Sequence, residues 1–352
     1  MATQSHSNIN NFDLLRIAAA MQVLFGHGFV HLHLQKPGWW AVVEAFPGVP
    51  IFFVISGFLI SRSYERSPSL QAYARNRILR IYPALWVCIA LTIVAASAAG
   101  FGFLHAQGAA WLPAQLVGVI YTPAFLSGFG FGSYNGSLWT IPLELQFYLV
   151  LPVCYALLPT TQRGFDVGIG VMLIAFTGVA LAFALNASPF GQGQAEPLAQ
   201  KVFRYTFAPH FYLFVAGVLL QRLRIEHAGY IAGKALVWVA AYLAFYFLTP
   251  RNGWTEIAGG LLMALCVVSV AYTMPGLARR VLRGNDVSYG VYIYHGLLIN
   301  VFLTLGWQGH PMLMPLLIAT TLAASAASWV FVERPFLRKK SAGPAAAGLK
   351  PA

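Results

Sequence analysis

Apolar stretches long enough to cross a lipid bilayer recur along almost the whole chain, and this recurrence limits the possible folds more than any other feature. A helix that crosses the hydrocarbon core needs about 20 mostly apolar residues. Only 9% of the 352 residues are charged, against about 25% in a typical soluble domain. The sequence therefore predicts an all-α, polytopic membrane bundle of about ten transmembrane helices. The predicted spans are 12–34, 45–62, 79–100, 138–158, 167–187, 205–221, 234–250, 256–274, 286–306 and 312–333.

Basic residues alternate between the two sides of this predicted bundle. Connections after even-numbered spans hold groups of arginines, at 62–80, 222–224 and 279–283, whereas connections after odd-numbered spans hold few. Because cytoplasmic loops carry the excess of Lys and Arg, the pattern predicts that both termini are cytoplasmic. The same clusters account for much of the net charge of +12, so we expect membrane lipids as partners and no nucleic acid.

Two segments do not fit the pattern of spans. The stretch 111–126 is apolar but short, and it runs into a glycine-rich segment, which is typical of an interfacial or re-entrant element. Residues 341–352 are mostly small, with Gly and Pro, and cannot bury enough apolar surface to fold. We therefore expect one transmembrane domain at 1–340, followed by a disordered cytoplasmic tail at 341–352.

The first predicted helix carries Asp13 and Arg16 near its cytoplasmic end and His27 further along. A charged side chain at the centre of a bilayer costs roughly 3 kcal/mol or more, so a residue retained there is a candidate functional residue. Arg16 and His27 are eleven residues apart, which is almost three helical turns and about 16 Å. They share one face, as a phosphate anchor at the cytoplasmic mouth and a deeper base would require. The alternatives are a topological anchor for Arg16 and a packed histidine for His27.

His27, His31 and His33 also permit a metal-site interpretation, because the first two lie at i and i+4. No nearby carboxylate or cysteine completes a ligand set, and His31 and His33 are expected at the outer interface. The sequence therefore predicts no metal.

A basic cluster lies at the start of the third predicted span. Arg75, Arg77 and Arg80 are on the predicted cytoplasmic side, and guanidinium groups match phosphate oxygens well. We take them as candidate ligands of phosphate groups on a donor substrate. The alternative is that these arginines only set the topology.

Further polar residues fall within later spans. Glu144, near the start of the fourth, must pair, bind a cation or be protonated, and a carboxylate beside a histidine would orient and stabilise a base. His295, in the ninth, is expected either to contact substrate or to be packed, and Asn300, further along the same span, is a second predicted substrate-binding residue. Glu333 is expected to pair with an arginine in a structural role.

Six short motifs follow one another along the chain. They are FDLLR at 12–16 with the Arg16 to His27 spacing, FFVISGF at 52–58, RILR at 77–80 before Tyr82 and Pro83, SLWT at 137–140 with Glu144, YIYH at 292–295, and ERP at 333–335. Together they resemble the acyltransferase-3 family of integral membrane O-acyltransferases over nearly the whole chain.

This resemblance implies a ten-helix enzyme of the cell inner membrane. Such an enzyme takes an acyl group, most often acetyl from acetyl-CoA, on the cytoplasmic side and places it on a hydroxyl of a cell-surface glycan or a related acceptor. By resemblance the buried histidine is His27, the essential arginine is Arg16, and the basic pair is Arg77 and Arg80. Members of the family often add a soluble C-terminal hydrolase-like domain, and we expect the membrane domain alone here.

These observations predict acyl transfer with His27 as the base and Glu144 orienting it. A covalent acyl-histidine is a variant. Ser56 and Trp139 are predicted substrate-binding residues. The oxyanion donor is left open among Ser56, Trp139 and a water, and the Ser56–Gly57 pair also permits close helix packing. The acceptor alternatives are a polysaccharide such as lipopolysaccharide or exopolysaccharide, a lipid-linked oligosaccharide, a peptidoglycan unit or a secreted small molecule.

The competing function is a transporter or flippase for a sugar-linked lipid, with the histidines and Glu144 as a proton relay.

Overall fold

The computed structural model of the protein describes residues 10–66, 68–187 and 197–339, and this part of the chain is helical, without strands. The predicted tail at 341–352 lies outside it. The longer helices are α1 (Phe12–His31), α2 (Trp40–Glu44), α3 (Gly48–Arg66), α4 (Leu70–Ala98), α5 (Ala106–Leu116), α6 (Thr140–Leu157), α7 (Gln162–Asn186), α8 (Leu198–Arg204), α9 (Phe211–Arg222), α10 (Ala235–Leu248), α11 (Gly253–Ala271), α12 (Leu277–Leu282), α13 (Ser288–Thr304), α14 (Leu313–Ser328) and α15 (Arg334–Leu337).

Seven helical segments in the described residues are long and apolar enough to cross a membrane. This confirms the polytopic helical fold, and the protein is a multi-pass membrane protein. The seven are Phe12–His31, Trp40–Arg66, Leu70–Ala98, Gly136–Leu157, Gln162–Asn186, Gly253–Ala271 and Leu313–Leu337.

Three predicted spans correspond to shorter helices. Helix α9 has 12 residues, α10 has 14 and α13 has 17. At 1.5 Å per residue these helices measure about 18, 21 and 26 Å, below the roughly 30 Å of the hydrocarbon core. Non-helical backbone at membrane depth is tolerated where protein surrounds it. The count of ten spans therefore stays a prediction.

Two stretches outside the long spans bear on the site. Helix α4 begins at Leu70, where the Ser69 hydroxyl accepts a hydrogen bond from the Ala72 amide, so the basic cluster lies within a helix instead of a loop. The apolar stretch 111–126 contains only the end of α5, an 11-residue helix of about 16 Å, and a short 3₁₀ turn. This helix is too short to span, in agreement with an interfacial or re-entrant element.

The described chain forms two compact units, and each is described by itself. The first comprises 1–19, 41–63 and 143–284, as far as these are described. Within it α3 and α9 approach closely, because a Cβ at Gly57 would collide with the Phe214 carbonyl and a Cβ at Gly217 with the Val54 carbonyl. This confirms that the Ser56–Gly57 pair permits close packing, as small residues do between membrane helices.

The second unit comprises 20–40, 64–142 and 285–352, as far as these are described. Helix α13 is its core, with nearly every side chain buried. Gly290 lets α13 approach the Ser325 backbone of α14, and the Tyr289 hydroxyl donates to the Ile81 carbonyl of α4 at 3.0 Å. The polar residues of α13 from Ser288 to Asn300 therefore face protein.

Candidate active site

Two imidazole rings meet inside the second unit. His27 of α1 has its Nδ1 3.0 Å from Nε2 of His295 in α13. The His295 side chain is fully buried, and its Nδ1 lies 2.9 Å from the carbonyl oxygen of Val291, one turn earlier in the same helix. Both ring nitrogens of His295, a residue predicted either to contact substrate or to be packed, therefore have protein partners.

An aromatic stack adjoins this pair. His31 lies one turn after His27 in α1, with ring centroids 5.5 Å apart, and the Phe131 ring stacks on His31 at 3.8 Å. Phe131 belongs to the glycine-rich segment before α6, which hydropathy alone did not connect to α1. Among the described residues, no group of three or more His, Cys, Asp or Glu side chains is arranged to hold a metal ion.

Asn300, the other α13 residue predicted to bind substrate, is fully buried and holds the glycine-rich segment. Its amide nitrogen donates to the carbonyl oxygens of Ser133 and Tyr134, each at 2.8 Å, and its oxygen accepts from the Phe131 amide at 3.2 Å. Gly130 has a φ of +61°, and a Cβ there would collide with the Asn300 side chain. Asn300 therefore fixes the loop that carries Phe131.

A buried ion cluster surrounds Arg80 in the same unit. Its Nη2 lies 2.6 Å from Asp286 Oδ2, and its Nη1 lies 3.7 Å from Glu333 Oε2. A turn of π-helix, 329–333, carries Glu333, and such turns often occur at functional sites. This confirms that Glu333 pairs with an arginine. It also shows Arg80, a predicted phosphate ligand, engaged by two carboxylates.

The remaining predicted phosphate ligands differ in their surroundings. Arg75 is exposed on α4, whereas Arg77 is half-buried with its guanidinium 5.9 Å from the Tyr73 ring centre. Arg16 belongs to the first unit, in the first turns of α1, where it lies 3.5 Å from Asp13.

Three more predicted residues have defined positions. Glu144 and Ser56 belong to the first unit, where the half-buried Glu144 accepts a hydrogen bond from the Tyr148 hydroxyl and Ser56 is buried in α3. Trp139 belongs to the second unit and ends the 3₁₀ turn Gly136–Trp139 before α6. The orientation of His27 by Glu144 stays a prediction.

Comparison with known proteins decides the family. A family model described as an acyltransferase domain matches residues 9–332. The chain belongs to the acyltransferase-3 family. No solved structure matches this acyltransferase.

Relatives of the acyltransferase cover it almost end to end. "Nodulation protein 10" of Rhizobium leguminosarum bv. viciae is 33% identical, over 96% of this chain and 95% of the relative. An "O-acetyl transferase" of Shigella phage Sf6 is 27% identical, over 94% and 97%. "Exopolysaccharide production protein ExoZ" of Rhizobium meliloti (strain 1021) is 27% identical, over 86% and 92%. The family membership makes this protein an enzyme of membrane acyl transfer.

Two residues and one contact in this part of the acyltransferase were absent from the sequence-based prediction. Asp286 precedes α13 and looks like an ordinary loop carboxylate, Phe131 lies in a glycine-rich segment to which the sequence analysis assigns no role, and the pairing of His27 with His295 is not predicted. Asn300 is a polar amide deep in an apolar run, which indicates that it makes hydrogen bonds to irregular backbone elsewhere in the protein. The sequence does not show which loop provides that backbone.

Proposed function

We propose that this protein transfers an acetyl group from cytoplasmic acetyl-CoA to a hydroxyl of a cell-surface or exported glycan, in the cell inner membrane. The observation that carries the proposal is an imidazole, His27, engaged by a second imidazole within a membrane-spanning helix of an acyltransferase. Relatives named for O-acetyl transfer and exopolysaccharide production support the acetyl group and the carbohydrate acceptor.

In the proposed reaction His27 is the general base. It accepts the proton of the acceptor hydroxyl as the hydroxyl oxygen forms a bond to the thioester carbonyl carbon. The carbon–sulfur bond then breaks, and the coenzyme A thiolate leaves and recovers the proton. Glu144 stabilises the positive charge on the imidazole, and Ser56 or Trp139 offers a donor to the oxyanion.

Coenzyme A carries its negative charge on phosphates, so its recognition requires cations. Arg16, Arg75 and Arg77 are the proposed ligands of those phosphates. Arg80 contributes indirectly, because its guanidinium already holds Asp286 and Glu333 and thereby orders α4. Both termini and the α4 cluster are on the cytoplasmic side in this proposal, where acyl-CoA is made.

Acetyl transfer by membranes that contain the wild-type protein or His27→Ala tests the proposal. We expect radiolabelled acetyl from acetyl-CoA to reach a glycan fraction with wild-type protein, and the variant to lose at least 100-fold in rate while retaining coenzyme A binding. His227→Gln, at an exposed histidine, is the matched control with unchanged rate. Undiminished transfer by a folded His27→Ala variant would overturn the assignment of the base.

A further inference from the structure

The contact between the two imidazoles determines which nitrogen of each ring carries hydrogen. A carbonyl oxygen only accepts hydrogen bonds, so His295 Nδ1, 2.9 Å from the Val291 oxygen, must carry hydrogen. A neutral imidazole has one N–H, which leaves Nε2 of His295 as an acceptor. His27 Nδ1, 3.0 Å away, must then donate to it. For a neutral pair this is the one consistent arrangement.

The consequence concerns the other nitrogen of His27. With hydrogen on Nδ1, a neutral His27 has its lone pair on Nε2, which is the form that a general base requires at that atom. The opposite tautomer would place hydrogen on Nε2 and leave no base there. Two lone pairs, on His27 Nδ1 and His295 Nε2, would then face each other at 3.0 Å.

We infer that His295 is a positioning residue for the transfer reaction, which holds His27 in the Nδ1–H tautomer with Nε2 as the basic atom. The inference rests on the proposed function, in which His27 is the base. The Val291 carbonyl fixes the tautomer of His295, and the tautomer of His295 in turn fixes the tautomer of His27. The position of this carbonyl in α13 therefore determines which nitrogen of His27 is basic.

The same arrangement stabilises the charge that forms during the reaction. When Nε2 of His27 takes the hydroxyl proton, the Nδ1–H bond to His295 becomes charge-assisted, and such bonds are roughly twice as strong as neutral ones. His295 stays neutral and keeps its Nδ1–H on Val291. The proton returns from His27 Nε2 to the coenzyme A thiolate, so the pair is regenerated.

Two substitutions separate an acceptor role from mere packing. His295→Gln places an amide oxygen near the position of Nε2, which accepts from His27 but does not titrate, whereas His295→Phe fills the site without an acceptor. We expect His295→Phe to lower kcat about 100-fold with KM for acetyl-CoA within about threefold, and His295→Gln to keep kcat within about tenfold of wild type. His227→Gln is the histidine control, without effect.

A spectroscopic readout reports the tautomer directly. In protein with ¹⁵N-labelled histidine, reconstituted in nanodiscs, the His27 resonances assigned by His27→Gln should show a protonated Nδ1 and an unprotonated Nε2. His295→Phe should shift His27 toward the Nε2–H tautomer, and His295→Gln should not. If His295→Phe does not fold, the spectra of the wild-type protein and of His295→Gln still test which nitrogen of His27 carries hydrogen.

The outcomes distinguish this inference from the proposed function. An inactive His27→Ala together with a His295→Phe variant of wild-type kcat would overturn the positioning role and leave the base assignment intact. A protonated Nε2 on His27 in the wild-type protein near neutral pH would also overturn it. Full activity of His27→Ala would instead contradict the proposed function itself.

Discussion

Asp286 Oδ2 lies 2.6 Å from Arg80 Nη2, and this ion pair joins the start of α13 to α4. The Arg80 and Asp286 side chains are 17% and 13% exposed, and the neighbouring Glu333 is 2% exposed. Because these charged groups are poorly solvated, burial of the Arg80 guanidinium costs free energy, and each carboxylate offsets part of that cost. The cluster therefore orders the elements that carry His295 and the arginines.

Removal of one carboxylate should destabilise the protein. We expect Asp286→Ala to lower the free energy of unfolding by about 3 kcal/mol, since it leaves Arg80 with an incomplete set of partners. Thermal unfolding in detergent measures the fall in Tm. Arg75→Ala, at an exposed position of α4, should leave Tm unchanged. Equal values of Tm for both variants would contradict a structural role of the ion pair.

Donor recognition should depend on the other arginines of α4. We expect Arg75→Ala and Arg77→Ala each to raise KM for acetyl-CoA about tenfold, because a hydrogen bond to a charged group contributes roughly 1.5–3 kcal/mol. Initial rates with acetyl-CoA and with its 3′-dephospho analogue measure this. At least one variant should discriminate less than wild type between the two donors.

The control for this prediction is Lys234→Ala, at an exposed lysine next to α10. Its KM should equal that of wild type, which excludes a general effect of net charge. If Arg75→Ala, Arg77→Ala and wild type all gave the same KM, the phosphate-binding role of the α4 cluster would be wrong.

The glycine-rich loop should tolerate substitution at one position and not at another nearby. Gly130→Ala places a Cβ against Asn300 and forces an alanine to a φ of +61°, so we expect a loss of about 2 kcal/mol or more in stability and a fall in activity. Gly128→Ala meets only ordinary contact with the Phe101 ring, at 3.6 Å. The Tm and the acetyl transfer of Gly128→Ala should match those of wild type. If Gly130→Ala also matched wild type, the conclusion that Asn300 fixes the loop would be wrong.

The close approach of α3 and α9 makes a similar prediction in the first unit. Gly57→Ala should force the helices apart at the Phe214 carbonyl and destabilise the protein by about 1–3 kcal/mol, as overpacking does. Gly178→Ala in α7 has open space around its Cβ and is the matched control. Unfolding of both variants by heat or denaturant in detergent measures the difference in their stability. Equal stabilities would show that α3 and α9 can separate at no cost.

Much of the fold was predictable because hydropathy is a local property of the chain. A run of apolar residues must be helical in a bilayer, whatever its neighbours, since the backbone has no other hydrogen-bond partners there. The long helices α1, α3, α4, α6, α7, α11 and α14 follow from this rule. The lengths of α9, α10 and α13 do not, because protein packing also permits irregular backbone at the same depth.

The sequence by itself determined that His27, His295 and Asn300 are polar groups in apolar surroundings, because the cost of burying each is visible in its neighbours along the chain. Only the tertiary structure decided their partners. His27 and His295 are 268 positions apart, and Asn300 and the Phe131 amide 169, so these hydrogen bonds depend on which helix faces meet. The same limit applies to Arg80, which contacts two buried carboxylates. The sequence alone does not distinguish an arginine that binds phosphate from one that pairs with carboxylates.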